Sequence, residues 1–377
     1  MPKNPKIPYS NRKELNMNDS EYMQLALQLA KKGCGFVSPN PMVGAVIVKN
    51  ERIIGSGYHE RYGEAHAERN ALASCGESPV DATMYVTLEP CCHHGKQPPC
   101  VDAIIKSGIK RVVIGSRDPN PLVAGKGIDI LRHHEITVTE HVLEDKCNEL
   151  NDVFFHYIRT KLPLVVMKYA MTLDGKIATY TGASRWITGE ETRAYVHTLR
   201  RCYSAIMVGV GTVLADNPLL SCRTENGRNP IRIICDSRLR TPIDSNIVKT
   251  AKEIPTIIAT CCNDYEKHLP YKHNGCRILL IDEDNGHINL NALIKHLGEE
   301  GIDSILLEGG STLNWSALQS GIVHKVNAFI APKLFGGQSA KTPISGLGFP
   351  LPSDGIVLKN QQIRQIGEDI LIEGDII

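Results

Sequence analysis

The chain has 377 residues, of which 42% are hydrophobic and 22% are charged, so it can bury a sizeable core and its length predicts two domains rather than one. Its 42 Lys and Arg nearly balance its 41 Asp and Glu, which argues against a nucleic-acid partner or an anionic membrane surface. No segment approaches the roughly 18 consecutive apolar residues of a membrane helix, and residues 1–16 lack the apolar stretch of a secretory signal. We therefore expect a cytoplasmic enzyme acting on a small substrate; the sequence allows a homo-oligomer.

Strands and helices alternate through the first 160 residues. A capping pattern at Asn18 and Glu21 predicts a first helix that ends near residue 33. The predicted strands are Met42–Lys49, Arg52–Gly57, Ala82–Leu88, Arg111–Gly115 and Ile136–His141. The further predicted helices are Gly63–Ser74, one opened by Pro90, Val101–Lys106, Gly127–His134 and a single connecting helix over 142–160. This alternation predicts a sheet covered by helices on both faces.

A second series of elements begins after Pro163. The predicted strands are Leu164–Tyr169, Ala205–Val208, Ile231–Cys235, Thr256–Ala259, Ile278–Ile281, Ser304–Leu307 and Val326–Ile330. The predicted helices are Glu190–Arg201, Leu290–Glu299 and Thr312–Gln319. These elements suffice for a complete second α/β domain, so the sequence predicts domains at residues 17–160 and 161–377.

The first domain contains residues suited to a catalytic zinc site. His66 and Glu68 are separated by one residue, and Cys91 and Cys100 bound a loop that follows a predicted strand. Zinc prefers histidine nitrogen and cysteine sulfur in tetrahedral geometry, and three protein ligands leave one position for a water molecule. Zinc lowers the pKa of that water towards about 7, and a carboxylate such as Glu68 can carry the protons in a deamination.

The cysteine spacing leaves alternatives. The general zinc-deaminase pattern has two residues between its cysteines, whereas here the second cysteine is nine residues after the first. Cys92 and His93 are alternative ligands or substrate contacts, although we favour Cys91 and Cys100. A closed structural zinc site, or reduced cysteines without a metal, is the competing interpretation, but neither has a use for Glu68.

Motifs in the first domain carry a specific resemblance. They are Ser38-Pro39-Asn40-Pro41-Met42-Val43-Gly44, His66-Ala67-Glu68, Thr87-Leu88-Glu89-Pro90-Cys91 and Pro98-Pro99-Cys100. With them the chain resembles, from about residue 18 to its C-terminus, the bifunctional deaminase/reductase family of riboflavin biosynthesis. In that family the nine-residue cysteine spacing is normal and serine usually follows the first cysteine, so Cys92 is a mild deviation.

The resemblance implies a cytidine-deaminase-like three-layer α/β/α domain. It implies one zinc ion bound by His66, Cys91 and Cys100, with Glu68 as the catalytic acid and base. The implied substrate is 2,5-diamino-6-(5-phosphoribosylamino)pyrimidin-4(3H)-one, a small phosphorylated pyrimidine. Family positions lining its pocket match Asn40, His59 and Lys96. From the residues alone, Asn40 is instead interpreted as a turn residue and Lys96 as a solvated charge.

The second domain offers weaker direct signals. The sequence Gly209-Val210-Gly211-Thr212 follows a predicted strand but lacks the third glycine of a Rossmann fingerprint. A predicted helix start after Glu308-Gly309-Gly310 could accept phosphate. Reduction by a nicotinamide needs no protein nucleophile, because the cofactor carries the hydride. The residues alone leave a nucleotide-binding domain and a structural domain open.

Further motifs extend the resemblance to the reductase domain of the same family. They are Lys168-Tyr169-Ala170-Met171-Thr172-Leu173-Asp174-Gly175-Lys176, Ser184-Arg185-Trp186-Ile187-Thr188, Gly211-Thr212-Val213-Leu214-Ala215-Asp216-Asn217-Pro218 and Glu308-Gly309-Gly310. The resemblance implies a dihydrofolate-reductase-like α/β fold that uses NADPH to reduce a ribosyl group to a ribityl chain.

The resemblance also implies two sets of contacts in this domain. The implied NADPH contacts are Ala170, Trp186, Thr212, Asp216, Ser237, Gly310, Ser311, Thr312, Leu313, Asn314, Trp315 and Ser316. The implied substrate contacts are Lys168, Ser184, Arg200, Leu220, Arg223 and Glu308. Two arginines suit a ribose phosphate because a guanidinium can bind two oxygens at once. Alternatively, Arg200 is a helix-terminal cation and Trp186 a core residue.

Two alternative functions compete with this interpretation. One is a deaminase of a free nucleoside or of a tRNA base with a non-catalytic C-terminal domain. The nearly neutral net charge argues against a tRNA substrate. The other is a zinc-stabilised interaction protein without activity.

Overall fold

The computed structural model describes residues 17–94, 97–120, 123–225 and 227–376. By its internal contacts the chain divides into two compact units: unit 1 extends to Phe155 and unit 2 begins at His156. Each unit combines a sheet with helices, so the predicted α/β class is confirmed. Among the described helices the longest has 13 residues, and none is long and apolar enough to cross a membrane.

Unit 1 is built on a five-stranded sheet. Its strands are β1 Gly44–Lys49, β2 Arg52–Tyr58, β3 Thr83–Leu88, β4 Arg111–Ser116 and β5 Thr137–Thr139. Its helices are α1 Asp19–Ala30, α2 Ala67–Ala73, α3 Cys100–Ser107, α4 Lys126–His133 and α5 Glu144–Leu150, followed by α6 Asp152–Thr160 at the boundary between the units. The strand order is β2-β1-β3-β4-β5, in which β1 is antiparallel to its neighbours and β3, β4 and β5 are parallel.

Two apolar clusters cover the two faces of this sheet. On one face α1 buries Met23 and Ala26 against Val46 of β1. On the other face α2, α3 and α4 pack against the remaining strand side chains. Gly44 lets α1 lie directly on β1, because a Cβ atom there would stand 2.0 Å from the Ala26 carbonyl oxygen. The result is the predicted sheet with helices on both faces.

Two predictions for unit 1 are wrong. Pro90 does not open a helix: the next helix begins at Cys100, with Pro99 as its N-cap. Proline disfavours the helical region for the residue before it, so Pro98 and Pro99 keep the preceding backbone out of a helix. The single helix predicted over 142–160 is two helices separated at Asn151, whose side chain instead bonds both the N–H (2.8 Å) and the carbonyl (3.0 Å) of Met42.

Unit 2 is built on a nine-stranded sheet. Its strands are β6 Leu164–Thr172, β7 Ala205–Gly209, β8 Ile231–Cys235, β9 Thr256–Thr260, β10 Arg277–Leu280, β13 Ser304–Leu307, β14 Lys325–Ala331, β15 Leu358–Ile366 and β16 Asp369–Ile376, and the small hairpin strands are β11 Glu283–Asp284 and β12 His287–Ile288. Its helices are α7 Glu190–Cys202, α8 Val210–Asp216, α9 Asn246–Lys249, α10 Tyr265–His273, α11 Leu290–Glu299 and α12 Ser311–Gln319.

The strand order of the large sheet is β10-β9-β8-β7-β13-β6-β14-β16-β15. All its neighbours are parallel except the pairs that include β16. The sequence predicted neither β15 nor β16. The edge strand β15 is mostly exposed and carries Lys359, Asn360, Gln361 and Gln362, so it lacks the apolar pattern from which strands are predicted.

A buried arginine connects four segments of unit 2. Arg232 of β8 is 0% exposed, and it donates six hydrogen bonds of 2.7–3.1 Å. The acceptors are the carbonyls of Leu219, Ile247 and Ile254 and the hydroxyls of Thr250 and Thr256. Burial lowers the pKa of Arg232 to about 10, so the guanidinium stays charged at neutral pH.

We predict that Arg232→Met lowers the free energy of unfolding of unit 2 by about 2–4 kcal/mol, because several buried acceptors lose their donor at once. Urea denaturation followed by tryptophan fluorescence measures this, since both tryptophans, Trp186 and Trp315, lie in unit 2. The matched control is Arg277→Met, which removes a half-exposed pair with Glu300 and should cost no more than about 1 kcal/mol. Equal urea midpoints for the two variants would contradict the prediction.

Candidate functional site

Three residues of unit 1 form a group suited to a metal ion. His66 is the N-cap of α2, Cys91 follows β3, and Cys100 is the first residue of α3. Their ligand atoms all lie within 4.8 Å of one another, and within the described residues no other group of His, Cys, Asp and Glu side chains meets the same condition. The alternatives from the sequence, Cys92 and His93, lie outside this group.

The spacing of these atoms fits tetrahedral zinc. The Nδ1 atom of His66 lies 3.5 Å from the Sγ atom of Cys91 and 3.4 Å from that of Cys100. Zinc–nitrogen and zinc–sulfur bonds of ordinary length at a tetrahedral angle place the two ligand atoms roughly 3.6 Å apart. Hydrogen bonding from Cys100 and His66 lowers the pKa of the Cys91 thiol to about 4, which favours the thiolate that zinc binds.

Glu68 lies in the first turn of α2, two residues after His66, and is 3% exposed. Burial raises the pKa of its carboxyl group to about 7, and the neighbouring Cys91 adds to the rise. A carboxyl group with a pKa near neutrality can both accept and donate a proton at physiological pH. The arrangement therefore places a proton carrier directly beside the three ligands.

Two predicted substrate contacts border the ligand group. His59 is buried, and its ring lies 5.2 Å from that of His66 in an edge-on arrangement. The Nε2 atom of His59 lies 3.3 Å from the amide nitrogen of Asn40, and its Nδ1 atom lies 3.1 Å from the carbonyl of Ala65. Burial lowers the pKa of His59, so this ring is neutral and orients Asn40. The third predicted contact, Lys96, lies outside the described residues.

A buried carboxylate missed by the sequence interpretation supports the ligand loop. Glu89, two residues before Cys91, accepts hydrogen bonds from the backbone N–H groups of Asp118, Gly125, Gly127 and Ile128. Gly127 is required there, because a Cβ atom would stand 2.3 Å from the carbonyl oxygen of Pro90. The end of β3 is thereby fixed to the start of α4. The place of Glu89 in the motif before Cys91 was a sequence signal for a role at the site, but the partners of Glu89 are distant in sequence.

Unit 2 contains a cavity of about 530 Å³ at the carboxyl ends of its parallel strands. The predicted contacts that line it are Ser184, Thr212, Asp216, Ser237, Gly310, Ser311, Thr312, Leu313 and Ser316. Gly309 and Gly310 both have positive φ angles, +61° and +87°, and at Gly309 a Cβ atom would meet the Asn314 side chain at 2.4 Å. The turn from β13 into α12 therefore depends on glycine.

Other predicted NADPH contacts are not part of the cavity wall. They are Ala170, Trp186, Asn314 and Trp315. Trp186 is 61% exposed, with the guanidinium of Arg193 4.7 Å from its ring centroid, so the alternative interpretation of Trp186 as a core residue is wrong. Trp315 is buried against Phe349, and Asn314 donates a hydrogen bond to the carbonyl of Pro343.

Three predicted substrate contacts form a buried charged cluster. Glu308, the residue after β13, accepts two hydrogen bonds from Arg200 of α7, at 2.7 and 2.8 Å. The Nζ atom of Lys168 lies 3.9 Å from the same carboxylate. Burial raises the pKa of Glu308, but the charges of Arg200 and Lys168 outweigh it and bring the pKa to about 2. Burial lowers the pKa of Lys168.

The remaining predicted substrate contacts are separate from this cluster. Ser184 donates a 3.0 Å hydrogen bond to Asp216. Leu220 is buried in an apolar cluster with a φ angle of +51°, and Arg223 is exposed.

Four basic side chains of the cavity wall were missed by the sequence interpretation: Arg238, Arg240, His287 and Lys341. The two arginines lie three and five residues after the end of β8, and this position after a parallel strand was an available signal.

Comparisons with known proteins cover nearly the whole chain. A family model described as the cytidine and deoxycytidylate deaminase zinc-binding region matches residues 16–116, and one described as the RibD C-terminal domain matches residues 163–372. The riboflavin biosynthesis protein RibD of Actinobacillus pleuropneumoniae is 54% identical over 367 residues, which are 97% of this chain and 98% of that protein. RibD of Escherichia coli (strain K12) is 40% identical and covers 94% of this chain and 99% of that protein.

Solved structures give the same result. A diaminohydroxyphosphoribosylaminopyrimidine deaminase/5-amino-6-(5-phosphoribosylamino)uracil reductase from Thermotoga maritima is 40% identical, with a TM-score of 0.82 over 95% of this chain and 99% of that one. RibD of Acinetobacter baumannii is 36% identical, with a TM-score of 0.84 over the same shares of the two chains.

We predict that Cys91→Ser and Cys100→Ser reduce the zinc content of the purified protein well below one ion per chain, because a hydroxyl group is a much poorer zinc ligand than a thiolate. Elemental analysis after dialysis measures this. The matched control is Cys75→Ser, a half-buried cysteine of the same unit outside the ligand group, which should leave zinc content unchanged. Full zinc content in Cys100→Ser would contradict the ligand assignment.

Proposed function

Because the chain belongs to the RibD family of riboflavin biosynthesis proteins, we propose that its two units catalyse consecutive steps on one pyrimidine. The protein is a bifunctional enzyme, a zinc-dependent deaminase and an NADPH-dependent reductase. The relatives match it over nearly their full length, so a deaminase with a non-catalytic C-terminal half and a zinc-stabilised interaction protein are not favoured. We place the deaminase at residues 17–160 and the reductase at 161–377.

The first substrate is 2,5-diamino-6-(5-phosphoribosylamino)pyrimidin-4(3H)-one, whose ring 2-amino group is replaced by oxygen. The product, 5-amino-6-(5-phosphoribosylamino)uracil, is then reduced to 5-amino-6-(5-phosphoribitylamino)uracil. The names of the Thermotoga maritima activities support this order, since the named reductase substrate is the deaminated compound. Both molecules are small and phosphorylated, which agrees with a chain of nearly neutral net charge.

The observation that carries the deaminase proposal is the buried Glu68 beside three converging ligand atoms. His66, Cys91 and Cys100 would hold zinc, which would supply an activated water at neutral pH. Glu68 takes a proton from the attacking water and delivers protons to the ring nitrogen and to the departing ammonia. Its pKa near 7 suits both transfers.

Residues beside the ligand group orient the pyrimidine. Asn40 and the neutral His59 form one wall, with the Asn40 amide fixed by His59 at 3.3 Å. Lys96, which lies between the two cysteine ligands in the sequence, supplies a cation for the substrate. Glu89 positions Cys91 through its four backbone hydrogen bonds and touches no reacting atom.

The reductase proposal is supported by the cavity and by the charged cluster. NADPH supplies the hydride. Residues of the cavity wall hold the cofactor, namely Thr212, Ser237, Gly310, Ser311, Thr312, Leu313 and Ser316. Asn314 and Trp315 of the same helix, α12, stabilise its position through contacts with Pro343 and Phe349. Ala170 and Trp186 remain cofactor contacts by resemblance.

The charged cluster lies on the substrate side. Arg200 and Arg223 bind the ribose phosphate, and Ser184 and Leu220 remain substrate contacts by resemblance. Glu308 holds Arg200 in place through two hydrogen bonds. Reduction of a ribosyl group to a ribityl chain consumes one hydride and one proton. Lys168 of this cluster, whose pKa is lowered by burial, supplies that proton.

We predict that Glu68→Gln retains one zinc ion per chain and lowers the rate of ammonia release by about 10²-fold to 10⁴-fold, because the amide cannot transfer protons. An ammonia assay on the zinc-loaded protein measures this. The matched control is Glu64→Gln, an exposed glutamate before the same helix, which should keep the activity. Full ammonia release by Glu68→Gln would exclude this residue as the base.

We predict that Lys168→Met lowers the rate of NADPH oxidation with the deaminated substrate by about 10²-fold or more, because the side chain loses its charge and its proton at similar length. Ammonia release in the same preparation should stay within about twofold of the unchanged protein. The matched control is Lys359→Met on the exposed strand β15. Loss of both activities in Lys168→Met would contradict the assignment of separate roles to the two units.

A further inference from the structure

The turn after β8 presents two arginines to the cavity of unit 2. It is fixed by Asp236, whose carboxylate accepts hydrogen bonds from the backbone N–H and the hydroxyl of Thr241, at 2.7 and 2.8 Å. Between the arginines Leu239 is buried in an apolar cluster, with a φ angle of +55°. Burial of Leu239 leaves Arg238 and Arg240 on the exposed side of the turn, and both line the cavity.

Among the described residues, these two arginines have no protein partner. Neither forms an ion pair or a hydrogen bond with any described residue, whereas Arg200 of the same unit is paired with Glu308 and Arg232 donates to buried acceptors. Asp216 is the one carboxylate among the residues that line the cavity, and it already accepts a hydrogen bond from Ser184. The turn therefore adds uncompensated positive charge to the wall of a cavity.

An anion of the cofactor is left without an assigned partner. The ribose phosphate of the substrate is assigned to Arg200 and Arg223, and neither of them lines this cavity. The pyrophosphate of the cofactor is suited to the glycine turn and the start of α12, at Gly310–Thr312. NADPH carries one further phosphate, the monoester on its adenosine ribose. Arginine is the side chain that commonly accommodates this group, whereas an acidic residue at that place selects the free 2′-hydroxyl of NADH.

We propose that Arg238 and Arg240, with the hydroxyl of Ser237, bind the 2′-phosphate of NADPH and so select NADPH over NADH. The inference rests on the proposed reductase function and deepens it by naming the residues that determine cofactor choice. Two guanidinium groups at alternate positions of one rigid turn can each donate charge-assisted hydrogen bonds to a doubly charged phosphate. NADH offers them only a hydroxyl group.

Binding measurements on the intact protein test this inference. The dissociation constants of NADPH and NADH are measured by calorimetry for the unchanged protein, for Arg238→Gln, for Arg240→Gln and for the double variant. We expect each single change to weaken NADPH binding by about 10-fold and the double change by about 10²-fold, with NADH binding changed less than about twofold. Adenosine 2′-monophosphate should compete with NADPH for the unchanged protein and lose this ability in the double variant.

Two controls keep the result interpretable. Arg228→Gln, an exposed arginine before β8 that does not line the cavity, should leave both dissociation constants unchanged. The thermal unfolding midpoint of each variant shows whether unit 2 remains folded.

Several outcomes would overturn the inference. They are equal weakening of NADPH and NADH, an unchanged NADPH constant in the double variant, and a raised KM for the pyrimidine substrate in place of weaker NADPH binding. Equal affinity of the unchanged protein for NADPH and NADH would also overturn it, while substrate-dependent oxidation of either cofactor would leave the reductase function standing. An unchanged protein that binds neither nucleotide would remove the reductase function as well.

Discussion

Parallel alignment of the strands is the constraint on which both sites depend. In unit 2 the neighbours β8, β7, β13 and β6 run in one direction, so the segments that follow them meet at one edge of the sheet. This edge brings together Ser237 after β8, Thr212 after β7 and Gly310 after β13, although these residues are far apart in sequence. Ligands of open α/β sheets bind at this edge for the same reason. In unit 1 the parallel pair of β3 and β4 likewise places Cys91 and Asp118 at one edge.

Buried charges then fix the ends of these strands. Glu89 binds four backbone N–H groups beyond β4, and Glu308 binds Arg200 of α7. In both cases a carboxylate directly after a strand is buried and is compensated by donors from a distant segment. A buried carboxylate is tolerated only when its oxygens are paired, so each one specifies the position of the segment that it binds. The loop that carries Cys91 and the charged cluster of unit 2 are therefore held in defined positions.

The two units solve different chemical problems with the same architecture. Deamination needs a proton carrier beside a metal, and a short helix supplies both His66 and Glu68 within three residues. Reduction requires that two phosphorylated molecules be oriented, and unit 2 separates its positive charges into two places. Arg200 and Lys168 lie in the buried cluster with Glu308, while Arg238 and Arg240 lie unpaired on the cavity wall. With the proposed assignments, separate placement of the cations would let one unit distinguish the phosphate of the substrate from that of the cofactor.

The sequence by itself determined the features that are local or carried by motifs. It predicted the α/β class, most strands of the two sheets, and the residues around His66, Glu68, Cys91 and Cys100, because apolar periodicity and ligand spacing are properties of short segments. It did not predict the helix break at Asn151, the exposed strand β15, the roles of Glu89 and Arg232, or the place of Arg238 on the cavity wall. The helix break and the role of Glu89 depend on partners far away in the chain, Met42 for Asn151 and the residues after β4 for Glu89. Only the tertiary structure decides such pairings, because burial and hydrogen bonding between distant segments exist only after the sheets have formed.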